Sequence, residues 1–530
     1  ESGTFVEVPG GLRTILGVGT FSATKATFND TSQKGDAVLH IVAGGNPAFS
    51  GNSGLLEMAV SFPSLTQSLT FEDNAIPNAR IDAKGSAGMA FTFASSSFES
   101  LAVSKSDDGE SLTGSMTIRN NTVQGDPLAS SAPATVSVSD YSGANILIDG
   151  NDGEFNLSIP FVDGAFGKSG ESSVVPRAAR TRIIRNNQGV AEIVLTGSNI
   201  AVQNNTVTGS GPNAIGIWFK SGGNNLIENN QIARADSAST NKTGVRIGNL
   251  SGTGEQATTT KNEILTNTIT GFNIGVRLFP ASETLIQDNT FVNIKNKGVW
   301  ITAGHENRVR DNQISGGDIS TNEAGVGLGN LSGTGGQTAT TDNEIVGNTI
   351  TGFRTGVSVS PAMDTLIQGN AIVDNRSHGI LVENSSRTTI GGNTAEQGNH
   401  IADNDENGIF IRGIGDAGAA STTGNLVTGN MIGTNPAGSA AQGNLGAGVW
   451  IKNASDNTVG GLNAGERNII SANRQSGVVI EGSNAQNNKV LGNFIGTDVT
   501  GQIIDPDGSV DGDELGNGLT AKVGPDAGIS

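Results

Sequence analysis

A four-residue phrase, a glycine followed by an apolar-rich triplet, recurs along the chain and limits its fold more than any other feature. It reads GIWF at Gly216, GVRI at Gly244, GVRL at Gly275, GVWI at Gly298 and GVGL at Gly325. It continues as GVSV at Gly356, GILV at Gly379, GIFI at Gly408, GVWI at Gly448 and GVVI at Gly477. A second phrase, Asn with a second residue and then an apolar one, alternates with it: NTV at Asn205, NTI at Asn267, NTF at Asn289, NTI at Asn348, NFI at Asn493. A weaker third phrase lies between them, as in NLI at Asn225, TLI at Thr284, NRV at Asn307 and NTV at Asn457. Each unit of about 22 to 31 residues therefore holds three short strands and three turns. Apolar and polar residues alternate along the strands, the period of a half-buried strand. One unit cannot bury its apolar face, whereas stacked units bury a continuous core. The pattern predicts an all-β parallel β-helix, a solenoid with three strands per coil. Right-handedness follows from the rule for parallel crossovers.

In this reading the Asn of each phrase takes the left-handed conformation of a sharp corner and stacks as a hydrogen-bonded ladder. The phrase glycine does similar corner work. Val276, Val299 and Val326 should share one sheet, and Ile247, Leu278, Ile301, Leu328 and Val359 should line one interior stack. A longer duplication overlies the short one: the stretch from Gly244 reappears from Gly325, an offset of 81 residues. The expected divisions are a cap or junction over 1–40, irregular early coils over 41–180 and regular coils over 181–503. The regular part contains the duplicated blocks 244–320 and 325–401, and an acidic loop with the last coil fills 504–530.

Composition narrows function. The chain has 530 residues and a formal net charge of −19, with no basic cluster suited to phosphates. This argues against nucleic acid as a partner. Without an apolar run near 18 residues, membrane insertion is not expected either. With 77 glycines and 4% aromatics, a helical bundle is excluded. Cys is absent, which removes disulfides and thiolate metal sites. The opening ESGTFVEVPG reads as the start of a processed or truncated piece of a secreted protein.

The phrases resemble those of right-handed parallel β-helix proteins of the pectate-lyase-like superfamily. The stretches NMIGTNPAGSAAQGNLGAGVWI, NTVGGLNAGERNIISANRQSGVVI and NFIGTDVTGQ resemble a repeat with IGT(D/N)…GN phrases in bacterial secreted and cell-surface β-helix proteins. The resemblance implies an extracellular or cell-surface protein that binds, cleaves or epimerises polysaccharide, or acts as a surface structure.

The catalytic phrases of those enzymes are missing or scattered. The NTD and RIK phrases of polygalacturonase-like hydrolases are absent. Asp107–Asp108 and the HG of His378 lie some ten coils apart, on the order of 50 Å at about 4.8 Å per coil. His378 reads as a turn residue in the slot that Lys297 fills one block earlier. Mannuronan epimerase-like enzymes need a Tyr and a DPH phrase; the one Tyr is Tyr141, and the DP pairs at Asp126 and Asp505 are followed by Leu and Asp. His40, His305 and His400 lack partners at zinc-ligand spacing. Asp288 and Asp311 precede the corner Asn of adjacent coils. They read either as a stacked acidic pair that invites a cation or as a solvated corner neutralised by Arg308 and Arg310.

In IDPDGSVDGDELGNG, Asp505, Asp507, Asp511 and Asp513 place hard oxygen ligands at odd spacing around Gly508. The stretch is a candidate Ca²⁺ loop that resembles thrombospondin type-3-like loops; the alternative is an acidic surface turn. No other cofactor is expected. Trp218, Trp300 and Trp450 sit inside strand phrases, which favours core or near-core positions. The functional expectation is a structural or adhesive β-helix, self-associating or joined to other surface proteins. The alternative is a polysaccharide-active enzyme or carbohydrate binder, which exposed aromatics aligned on one face would support.

Overall fold

The computed structural model describes residues 182–210, 215–234, 242–248, 259–317, 323–329, 340–413, 422–505 and 514–518 in full. Before residue 182 it describes strands and neighbouring turns between 13 and 160. Two compact units emerge: Glu1–Ala235 with Gly244–Asn249, and Asp236–Thr243 with Leu250–Ser530.

Each unit is a stack of coils whose strands pair in parallel with their equivalents one coil away. In the first unit the pairing already begins between Arg13–Gly17 and Val38–Ala43, and it runs on to Glu192–Thr196 with Ile215–Phe219. In the second unit the Gly-phrase strands run Ile274–Leu278, Lys297–Ile301, Ala324–Leu328, Thr355–Val359, Ile380–Glu383, Ile409–Arg412, Val449–Lys452 and Val478–Glu481. Val276, Val299 and Val326 are partners in one sheet, as expected. Leu278, Ile301, Leu328 and Val359 stack in register and are buried, and Ile247 is buried within the first unit.

The Asn ladder exists, but its geometry differs from the expectation. The ladder Asn is not left-handed; the residue before it usually is, as at Asn204, Asn229, Asp288 and Asp311, with φ of 55°, 55°, 56° and 54°. Exceptions include Gly398 and Arg467, which follow short 3-10 turns with φ of -65° and -72°. That residue turns the corner and aims the following Asn inward. In the second unit the amide Nδ2 of each Asn donates to Oδ1 of the next. The chain runs Asn267, Asn289, Asn312, Asn348, Asn370, Asn399, Asn430, Asn468 and Asn493, at 2.8–3.0 Å. The same Oδ1 also accepts the backbone N–H of its neighbour below, as Asn370 does from Asn348 at 2.9 Å. A buried amide at a turn thus has its donors and acceptor engaged, which a buried polar side chain requires. A third corner gains a ladder only late, through Asn375, Asn404, Asn444, Asn473 and Asn517.

The phrase glycine also works differently from the expectation. It has no positive φ; its lack of a side chain is what matters. A Cβ on Gly408 would sit 2.7 Å from Ile432 Cγ2 and 2.8 Å from the Gly448 carbonyl oxygen. Glycine lets the strand press against the interior and its neighbour coil.

The phrases specific to the C-terminal coils are local staples. Asn435 Oδ1 accepts from the N–H groups of Ser439 and Ala440, at 2.9 and 3.3 Å. Asp498 Oδ1, in the equivalent IGTD, accepts from Thr500 Oγ1 at 2.6 Å and from the N–H of Gln502 and Ile503 at 3.2 Å.

Candidate functional site

Alternation along the Gly-phrase strands puts one row of side chains on the outer face of the sheet. In the second unit this row is Arg277, Trp300, Gly327, Ser358, Leu381, Phe410, Trp450 and Val479, each paired with the next across adjacent coils. The tryptophans therefore face outward and are half-buried, so of the expected core or near-core positions they hold the second and not the first. They are flanked in sequence by buried Val and Ile, as Trp300 is by Val299 and Ile301. That alternation was the signal for outward placement, and membership of a strand alone does not carry it.

The row changes character along its length. Trp300 lies between two cations: the Arg277 guanidinium is 4.3 Å from the ring centroid and the Lys297 ammonium 4.6 Å. Its Nε1 donates to the Gly329 carbonyl at 2.9 Å. Trp218 of the first unit has the same surroundings, with Arg246 at 4.8 Å, Lys220 at 4.7 Å and an Nε1 bond to the Gly248 carbonyl at 2.8 Å. Beyond Trp300 the row drops to Gly327 and Ser358, and an open groove of about 970 Å³ begins there. It runs to an aromatic wall in which the Phe410 and Trp450 ring centroids are 5.3 Å apart, with Arg412 5.7 Å from the first centroid and Lys452 5.4 Å from the second. The His378 ring meets Phe410 edge-on at 4.9 Å.

The polar groups of the groove are held by one another. Nδ1 of His378 accepts from the Asn407 N–H at 3.4 Å, and Nε2 lies 3.2 Å from Glu406 Oε2. Ser377 Oγ donates to that same oxygen at 2.6 Å. Burial drives the His378 imidazole down to about 4, against the pull of Glu406, so the ring is neutral over most of the pH range. Glu383 is only 2% exposed and receives Arg412 Nε at 2.7 Å. Lys297 is ion-paired with Glu323. Burial first, and Arg277 second, still bring its ammonium down to about 8. Three polar side-chain atoms of the groove lining are buried without a partner: Asn296 Oδ1, the Ser360 hydroxyl and Trp450 Nε1.

The sequence reading passed over most of this. His378 is a groove residue as well as a turn residue. Asp288 and Asp311 occupy the left-handed corner and are exposed, while Arg308 and Arg310 pair with Glu344. Those two arginines therefore do not act as the predicted neutralising partners. Asp107, Asp108, Tyr141, Asp507, Asp511 and Asp513 lie outside the described residues, as does the side chain of His40; of the candidate Ca²⁺ loop only Asp505 is described among its proposed ligands. Among the described residues no group of three or more His, Cys, Asp or Glu side chains is arranged to hold a metal ion.

The family described as "Right handed beta helix region" matches residues 191–334 and 339–504. The chain belongs to the right-handed β-helix family. The whole groove of this β-helix protein lies inside the matched residues. No curated protein sequence matches the chain. Among solved structures it is similar to the periplasmic alginate epimerase AlgG, at 10% identity and a TM-score of 0.27, over 87% of this chain and 77% of that one. It is also similar to the Dettilon tailspike protein (gp208), at 14% identity and a TM-score of 0.32, over 76% and 62% of the two chains. A third is the A-module of the Azotobacter vinelandii mannuronan C-5 epimerase AlgE6, at 14% identity and a TM-score of 0.30, over 72% and 90%.

Proposed function

We propose that the outer face of the Gly-phrase sheet is a polysaccharide-binding surface, and that the protein is an extracellular or cell-surface β-helix that adheres through it. One observation carries this reading: half-buried Trp450 and, beneath it, Phe410 at 7% exposure are neighbours in the outward row, tilted against each other, and line an open groove. Aromatic rings offer flat apolar area with little entropy to lose, and sugars present apolar faces to such rings. Coils repeat every 4.8 Å or so, which is close to the length of a pyranose unit. A glycan laid along the axis therefore meets about one coil per sugar. The expectation of end-to-end self-association has no comparable observation behind it, and adhesion is assigned to the groove instead.

Affinity electrophoresis through gels containing single polysaccharides, followed by calorimetry on those that retard the protein, tests the reading. At least one polysaccharide should retard it. Phe410→Ala with Trp450→Ala should weaken binding about tenfold or more, on the scale of 1.4 kcal/mol per decade. Trp218→Ala, far along the chain from the groove, should not. Absence of retardation across neutral and acidic polymers alike would remove the proposal.

A further inference from the structure

Resting on that reading, we infer that the groove takes a neutral, hydroxyl-rich glycan segment, and that it exists because the second copy of the duplication has lost the side chains that close the same face in the first.

The charge of the groove excludes an acidic polymer as its best ligand. Four carboxylates line it, Glu323, Glu383, Asp405 and Glu406, against three cations, Lys297, Arg354 and Arg412. Lys297 is engaged by Glu323 and Arg412 by the buried Glu383. His378 adds no charge above about pH 4. Arg354 is exposed. A carboxylated or sulfated chain meets an excess of negative charge here, on a protein of net charge −19.

The hydrogen-bonding groups point the same way. Ser360 is 5% exposed, and its hydroxyl has no partner. Trp450 Nε1 is a donor without an acceptor, while Glu406 and Asp405 can only accept when ionised. The complementary ligand must both donate and accept within a few ångströms. Sugar hydroxyls do both, on neutral and acidic glycans alike; the carboxylate or sulfate of an acidic chain adds only acceptors and the negative charge that the groove disfavours. The apolar wall of Phe410 and Trp450, with Leu381 and the 40% exposed Leu445, suits the C–H faces of a pyranose ring.

The duplication explains how the face opened. At the 81-residue offset, Arg246 becomes Gly327, Arg277 becomes Ser358, Trp300 becomes Leu381 and Lys297 becomes His378. In the first copy the two arginines lie on tryptophan rings of neighbouring coils and cover them. In the second copy nothing of that size remains. Gly327 is itself buried beneath Lys297 and Trp300, and a Cβ there would have only ordinary contacts, 3.4 Å to Lys297 Cε and 3.7 Å to Trp300 Cδ1, so a larger side chain is not blocked at its first atom.

Calorimetry on the full chain with a soluble neutral β-glucan, a neutral galactomannan, polygalacturonate and alginate, at low and high salt, decides the matter. A neutral polymer should bind at least about tenfold tighter than either acidic one, with an affinity that salt barely changes. Gly327→Arg with Ser358→Arg, which restores the first copy's residues, should melt near the parent temperature and lose binding about tenfold or more. The milder Ser360→Ala should lose about threefold while keeping the groove open. Tighter binding of polygalacturonate or alginate, weakened by salt, overturns the neutral-glycan inference and leaves the polysaccharide-binding reading standing. If neither class binds, both fall. Unchanged binding by the folded double-arginine variant removes the groove from the interaction.

Discussion

Val276, Leu278, Val299 and Ile301 in the first copy of the duplication correspond to Val357, Val359, Ile380 and Val382 in the second, and all eight are fully buried. On the opposite side of the same strands, Arg246, Arg277 and Trp300 correspond to Gly327, Ser358 and Leu381. The interior kept its aliphatic chemistry, with no pair differing by more than one methylene, because coil packing tolerates little change in volume. The exterior was free to change, because an outward side chain is not needed to close a coil. Two copies of one folding unit thus share a core while one has a covered face and the other a groove.

The largest test of that comparison breaks the shared interior. Ile301→Asp in the first copy and Val382→Asp in the second should each abolish folding, since an unpaired buried charge costs more than about 4–5 kcal/mol. A melting curve that survives either change shows that the two interiors are not equivalent.

The pH dependence of stability separates the copies at one equivalent position. His378 falls from its usual 6.5 to about 4 on folding, so the unfolded chain binds a proton there that the native chain does not. Its contribution is fully present above about pH 6.5 and is lost as the pH falls to about 4. Lys297 goes from 10.5 to about 8, so the same sign places its rise in stability between about pH 8 and 10.5. Each effect amounts to at most roughly 3 kcal/mol. His378→Gln should flatten the acidic window only and Lys297→Met the alkaline one only, read from denaturant titrations across pH.

The ladders should respond alike in both copies. Asn289→Ala and Asn370→Ala each leave a buried backbone N–H without its acceptor and should cost about 2 kcal/mol. A difference of more than about 1 kcal/mol between them points to unequal coil packing.

The smallest test concerns the indoles. Trp218→Phe and Trp300→Phe remove an N–H bonded to a glycine carbonyl and should cost about 1 kcal/mol each. Trp450→Phe removes an N–H with no partner and should be neutral or slightly stabilising. Chemical denaturation of the three variants side by side checks the order.

What the sequence determined alone was the coil. Period-2 apolar phrases at regular spacing leave no other way to bury their faces, so the sheet shared by Val276, Val299 and Val326 and the stack of Leu278, Ile301 and Leu328 were legible from the phrases. The presence of an Asn ladder was legible too, though not which residue turns the corner, because two adjacent residues both suit a turn and only the backbone separates them. The groove was decided by tertiary structure. Its residues run from Asn296 to Gln475 and come together only once successive coils are in register. A one-residue slip in pairing would turn Trp450 and Phe410 inward. Whether a tryptophan in a strand lines the core or the outside depends on that register, and whether its ring is covered depends on the side chain one coil away. Those are contacts between residues about 25 to 40 positions apart, and local pattern carries no information about them.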